Sequence, residues 1–167
     1  SVAPLTAAHG IPAYVHPDDR YRLADPAGSS FPAAREQLLA MTKGALELTE
    51  PDDVRPVVDG ELLELAGLAM AVRHAPGHTE GSVAFVTPAT GEVPPVMFSG
   101  DLLFAGSIGR TDLPGGDSAA MMRSLARVVL PMDDATVVLP GHGPQTTIAA
   151  ERASNPFLRE VAAGATG

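Results

Sequence analysis

Residues 75–82, Ala75-Pro76-Gly77-His78-Thr79-Glu80-Gly81-Ser82, separate two apolar runs, Leu68 to Val72 and Val83 to Val86. Each run is short and bounded by turn residues, which predicts two strands with His78 on the tight turn between them. Pro76, Gly77 and Gly81 restrict that turn, so the scaffold aims one imidazole at a fixed point. The same grammar recurs twice. Val96-Met97-Phe98-Ser99-Gly100-Asp101 is an apolar strand ending in a carboxylate, and Val137-Val138-Leu139-Pro140-Gly141-His142-Gly143 is one ending in an imidazole. For a single histidine, a turn residue bonded to backbone is the plainer reading. Two histidines and an aspartate on three strand ends instead form a metal-ligand set, because zinc takes imidazole and carboxylate donors and catalytic sites keep one position open for water.

Composition narrows the function classes. The 167 residues are 45% hydrophobic and could form one domain with a sizeable core. Aromatics are only 4% and tryptophan is absent, so packing falls to Leu, Val, Ala and Met. A net charge of -9 argues against a nucleic-acid binder, which needs clustered Lys and Arg against phosphate. With no cysteine there is no disulfide, thiol nucleophile or Cys-ligated metal. No apolar run is long enough for a membrane span and no signal-peptide pattern occurs at Ser1. A cytoplasmic location is only the default expectation.

Outward from the three turns, the pattern gives a coarse map. Val2 to Ala8 reads as a helix stopped by Gly10-Ile11-Pro12, followed by a short strand Ala13 to Val15 and a helical turn from Asp18 to Leu23. Pro26 to Pro32 reads as a loop and the best candidate for a mobile segment; Ala33 to Thr42 reads as a helix ended by Gly44. Val57 to Leu62 reads as a hairpin, since Asp59-Gly60 suits a tight turn between paired strands. Leu62 to Leu65 and Leu68 to Val72 continue the sheet with a break at Gly67. Asp117 or Ser118 caps a helix to about Val129, with Met122, Leu125, Val128 and Val129 on one face. Thr146 or Thr147 starts a last helix that Asn155-Pro156 ends, and Ala162 to Gly167 is expected to be disordered. There is no internal repeat, and the order of elements fits layered sheets with outer helices.

The motifs Pro76-Gly77-His78-Thr79-x-Gly81-Ser82, Ser99-Gly100-Asp101 and Pro140-Gly141-His142-Gly143 resemble the later metal motifs of the metallo-β-lactamase fold. Gly109-Arg110-Thr111-Asp112 and Glu151-x-x-x-Asn155-Pro156-Phe157 make the chain most similar to the glyoxalase II-like hydrolases of that superfamily. The resemblance runs along essentially the whole chain. It implies an α/β fold, a four-layer αββα sandwich formed as a single domain over 1–167. It implies that His78 binds a first metal, that Asp101 bridges two metals at the reacting centre, and that His142 binds the second. The metals would be zinc, two per complete site, with iron or manganese as alternatives. The implied activity is hydrolysis of a thioester of a small thiol by attack of metal-activated water on a carbonyl. The similar persulfide dioxygenases imply a second reading, one iron on two histidines and an aspartate. A nuclease of the same fold is disfavoured by charge and by the lack of an inserted domain.

One departure is plain. The family's early His-x-His-x-Asp-His motif is absent: the histidines are His9, His16, His74, His78 and His142, and no two are separated by a single residue. The expectation is that the chain begins just after that motif and that a further segment or another chain completes the fold; an alternative reading is that this polypeptide alone has no activity. Of the remaining candidates, Arg110 and Asp112 are read as a loop near the substrate, with Arg110 either meeting a substrate carboxylate or, the favoured reading, pairing with Asp112 to hold the loop. His74 is expected to support the site or the core, His16 to be structural, and His9 to lie on the surface.

Overall fold

A computed structural model of the protein describes residues 2–24, 36, 40, 41 and 49–164. The chain forms two compact units, Ser1–Val57 and Val58–Gly167. The first unit contains helix α1 (Val2–His9), strand β1 (Ala13–Val15), a 3-10 helix (Pro17–Leu23) and strand β2 (Val54–Pro56). Helix α1 stops at Gly10, whose φ of +60° a glycine adopts at no steric cost. Strands β1 and β2 pair in parallel, Ala13 against Val54. The 3-10 helix has Pro17 in its first turn and is capped by His16, whose Nδ1 accepts from the Asp18 amide at 3.3 Å. His16 is thus structural and His9 is exposed, as expected. Glu36, Ala40 and Met41 are helical. The rest of the expected helix from Ala33 to Thr42, its end at Gly44 and the expected loop from Pro26 to Pro32 lie outside the described residues.

The second unit is built on a six-stranded sheet ordered β10-β9-β6-β5-β4-β3. Its strands are β3 (Leu62–Leu65), β4 (Leu68–His74), β5 (Val83–Thr87), β6 (Val96–Gly100), β9 (Val137–Pro140) and β10 (Thr146–Thr147); a small hairpin, β7 (Leu103–Phe104) and β8 (Ser107–Ile108), stands apart. Strands β3 to β6 are antiparallel in sequence, whereas β6 and β9 run parallel. Val86, Met97 and Val138 are cross-strand partners, so they share one face. Ala84, two residues before Val86, shares it too. Helices cover that face: α2 (Ser118–Ser124), continuing as a π-helical turn (Leu125–Val129), α3 (Ile148–Ser154) and α4 (Pro156–Gly164). Met121, Leu125, Val129, Ile148 and Leu158 are buried there against Met97 and Val138. Burial of each such side chain contributes about 1.5–3 kcal/mol. Asp117 caps α2 by accepting from the Ala120 amide at 2.9 Å, and Thr147 caps α3. Among the described residues no helix is long and apolar enough to cross a membrane.

Two expectations need correction. Asp59-Gly60 does turn, with the Glu61 amide on the Val58 carbonyl, but it joins no hairpin, because β2 pairs in parallel with β1. The hairpin lies one turn later, between β3 and β4, at Ala66 (φ 51°) and Gly67 (φ 77°). Both residues are left-handed, as a two-residue hairpin turn requires, and a non-glycine at the first position hid it. Nor is the chain irregular from Ala162: α4 runs to Gly164, and residues 165–167 lie outside the described set. Pro156 ends α3 but opens α4, where its missing N–H would be unsatisfied anyway. Asn155 Oδ1 accepts from the Phe157 amide at 3.0 Å to cap the new helix.

Candidate metal centre

Sheet topology brings the three turns together. Because β6 and β9 are parallel neighbours, Asp101 and His142, each just past a strand end, emerge at the same edge. Strand β5 runs the other way, and His74 of β4 pairs with Val83 of β5, so the 75–82 turn sits at that edge too. Within the turn, the Ala75 amide reaches the Ser82 carbonyl at 2.7 Å and the Thr79 amide reaches Ser82 Oγ at 3.1 Å. Ser124 Oγ donates to the Pro76 carbonyl at 2.7 Å, tying the turn to α2. A nitrogen of the His74 ring lies 2.8 Å from the Glu80 carbonyl. A carbonyl only accepts, so the ring donates and braces the loop that carries His78.

The result is a cluster of three donor atoms. His78 Nε2 lies 3.4 Å from Asp101 Oδ2, and His142 Nε2 lies 3.7 Å from the same oxygen. Two ligands on one tetrahedral ion at zinc-like bond lengths stand about 3.4 Å apart, so both spacings suit ions shared through Oδ2. Hydrogen bonding sharpens the point. His78 Nδ1 is 2.9 Å from the Arg110 carbonyl, which fixes a proton on Nδ1 and leaves Nε2 facing an acceptor-only carboxylate. Both facing atoms offer lone pairs, which is what a metal ion takes. An imidazole whose far nitrogen donates to a backbone carbonyl is also the arrangement that orients a metal ligand. The donor set therefore fits a metal ion.

The three groups differ in their setting. His78 and Asp101 are partly buried, with side chains 24% and 30% exposed, whereas the His142 side chain is 73% exposed. Among the described residues His142 makes no hydrogen bond; its ring stacks on Phe104, centroids 4.4 Å apart and planes 28° from parallel. Arg110 and Asp112 lie on the adjoining loop and pair with each other, Nε–Oδ1 and Nη2–Oδ2 both at 2.8 Å. Those bonds, chiefly, hold the Asp112 carboxyl down at about 2. The guanidinium is engaged with Asp112, and it is the Arg110 carbonyl that meets His78. A cavity of about 400 Å³ opens over the three donors, with Phe104, Ala105, Ile108 and Pro144 as its apolar wall.

Sequence reasoning missed several supporting residues. Gly141 has no room for a side chain: a Cβ there would stand 2.6 Å from Asp101 Oδ1. At Gly109 a Cβ would collide with the Asp101 carbonyl oxygen. The glycine beside each charged residue was a visible signal of such close approach. Phe104 left no comparable local signal, and Glu151 stood in the Glu151-x-x-x-Asn155-Pro156-Phe157 motif without a role assigned to it.

A profile of the metallo-beta-lactamase superfamily matches residues 1–142. The chain belongs to the metallo-beta-lactamase superfamily, whose members bind metal ions and act generally as hydrolases. It is 44% identical over 160 residues to an uncharacterized protein of Mycobacterium tuberculosis, a match spanning 95% of this chain and 69% of the relative. It is 43% identical over 100 residues to the hydroxyacylglutathione hydrolase GloC of Haemophilus influenzae, covering 60% of this chain and 45% of that one. Among solved structures, the B3 metallo-beta-lactamase BLEG-1 superposes with a TM-score of 0.75 at 35% identity, over 94% of this chain and 69% of that one. TTHA1623 in a di-iron-bound form does so with a TM-score of 0.68 at 40% identity, over 94% and 70%. The αββα class implied by the motifs agrees with this membership and with the mixed α/β architecture.

Proposed function

We propose that the complete protein is a metal-dependent hydrolase of thioesters of small thiols, with His78, Asp101 and His142 as metal ligands. The observation that carries the reading is the placement of one carboxylate oxygen, Asp101 Oδ2, within 3.4 and 3.7 Å of two imidazole nitrogens. The similarity to a hydroxyacylglutathione hydrolase supports the substrate class. Zinc, two ions per complete site, is the assignment the ligand types favour; the di-iron form of a protein 40% identical supports iron as the alternative. When bound, such ions supply Lewis-acid activation of water and polarisation of a carbonyl.

The chain's own residues do the rest. The Arg110 carbonyl holds His78 in the tautomer that presents Nε2 to the centre. Asp101 offers one oxygen to both sides. The apolar wall of Phe104, Ala105, Ile108 and Pro144 takes the acyl chain and excludes water from it. Arg110, tied to Asp112, holds the loop. Three donors leave each of two ions short of four ligands. The proposal therefore includes further donors from outside the described residues and assigns full activity to the completed site. The substrate is a small molecule, with no nucleic-acid or membrane partner, and the setting is cytoplasmic.

The experiment is release of free thiol from acylated low-molecular-weight thiols, glutathione among them, by the metal-loaded full-length protein. Metal-dependent release that Asp101→Asn abolishes is expected. Oxygen consumption with a persulfide on one iron, without thioester cleavage, would replace the hydrolase by a dioxygenase.

A further inference from the structure

His78 is held by a hydrogen bond on its far nitrogen, but His142 has no such bond among the described residues and is mostly exposed. An exposed side chain of this kind samples several rotamers unless something fixes it. Among the described residues its ring neighbour is Phe104, which sits on the β7–β8 hairpin. Beneath that hairpin lies Glu151, a carboxylate 2% exposed on α3. Its Oε2 accepts from the Gly106 amide at 2.9 Å, in the turn two residues after Phe104. Its Oε1 accepts from Thr146 Oγ1 at 2.7 Å, four residues after His142. Asn155 Nδ2 donates both to Glu151 Oε2, at 2.8 Å, and to the Ser107 carbonyl of the hairpin, at 3.1 Å. One buried carboxylate is therefore bonded to the two segments that carry the two stacked rings. Two of the groups facing it are amides that only donate, whereas the Thr146 hydroxyl can also accept, so glutamine could keep this network and alanine would break it.

We propose that Glu151 and Phe104 are positioning residues for His142: Glu151 sets the distance between the hairpin and the 141–147 segment, and the Phe104 face then fixes the imidazole toward Asp101. This rests on the reading of His142 as a metal ligand. It goes beyond that reading by assigning a task to two residues that do not touch the metal.

The test separates the two ideas. In the metal-free full chain, proton NMR of the His142 ring reads the stack through the ring-current shift from Phe104. Zinc affinity is then measured on the same samples. Wild type and Phe104→Tyr should show the shift, and Phe104→Leu and Glu151→Ala should lose it. The latter two should also bind zinc at least about 10-fold more weakly, the usual consequence of removing a ligand's support. An unchanged His142 shift in Glu151→Ala would overturn the positioning role. Wild-type zinc affinity in Phe104→Leu, with affinity lost in His142→Ala, would also overturn it. Wild-type affinity in His142→Ala would instead sink the ligand reading, and the positioning role with it, even if the stack behaves as described. Phe104→Leu keeps the test open if Glu151→Ala does not fold.

Discussion

Replacing Gly141 by alanine should damage the metal centre while sparing the fold. The new Cβ would stand 2.6 Å from Asp101 Oδ1, whereas ordinary contact begins at 3.4 Å. The carboxylate must therefore retreat by about 0.8 Å, well beyond the ~0.2 Å within which ligand distances are held in functional sites. That retreat is easy for the fold, because the obstructing atom is the end of a side chain and Gly141 needs no left-handed backbone. We expect a stability loss below about 1 kcal/mol. Zinc affinity should fall by at least ~10–100-fold, the loss that follows when a ligand's orientation is no longer supported. Gly77→Ala is the control with the opposite signature. There φ is +148° and the Cβ would stand 2.5 Å from the backbone Cα of Met121, which cannot step aside. Backbone strain and overpacking together should cost roughly 2–5 kcal/mol. Urea unfolding and zinc competition with a chromogenic chelator, run on both variants, separate the two effects. A Gly141→Ala protein that is folded and binds zinc as tightly as wild type would refute the argument, because Asp101 could then move without consequence.

The Asp112 carboxyl should titrate near pH 2, because hydrogen bonds from Arg110 favour its charged form; carbon-detected NMR would show this, and an ordinary midpoint near 4 would mean the pair does not persist in solution. Since the folded value is depressed, the pair's contribution is present above about pH 4 and is lost as pH falls toward 2, so it is constant across the physiological range. Leu125→Ala removes a side chain fully buried between the sheet and α4 and should cost about 2–5 kcal/mol by urea unfolding, whereas a loss under ~1 kcal/mol would mean that this core is loosely packed. Glu151→Ala strands three donors in a buried site and should cost roughly 3 kcal/mol or more, a figure that solvent entry into the gap would lower.

The site's three charged groups were legible because each follows an apolar run and is set in glycine and proline, and a strand that ends in such a turn exposes its next side chain at a sheet edge. The sequence could not say that one oxygen of Asp101 faces both imidazoles, since that depends on β6 and β9 being parallel neighbours, a pairing across some forty residues. Two local signals misled for the same physical reason. Asp59-Gly60 is a real turn, but whether a turn joins paired strands is decided by the partner of the preceding strand, here the distant β1. Pro156 is a real helix stop, but the same ring opens the next helix once Asn155 caps it. Phe104 was out of reach because its contact with His142 spans 38 residues, and Glu151, although it stood in a motif with Asn155, showed no role because its bond to the Gly106 amide spans 45.

The most direct test is nitrogen NMR of the histidine rings during zinc titration of the 167-residue chain. The account predicts that the Nε2 signals of His78 and His142 move to metal-bound positions while His78 Nδ1 stays protonated on the Arg110 carbonyl, and that Asp101→Asn weakens both changes together. If neither Nε2 responds at saturating zinc, or if both respond unchanged in Asp101→Asn, these three side chains are not a shared metal centre.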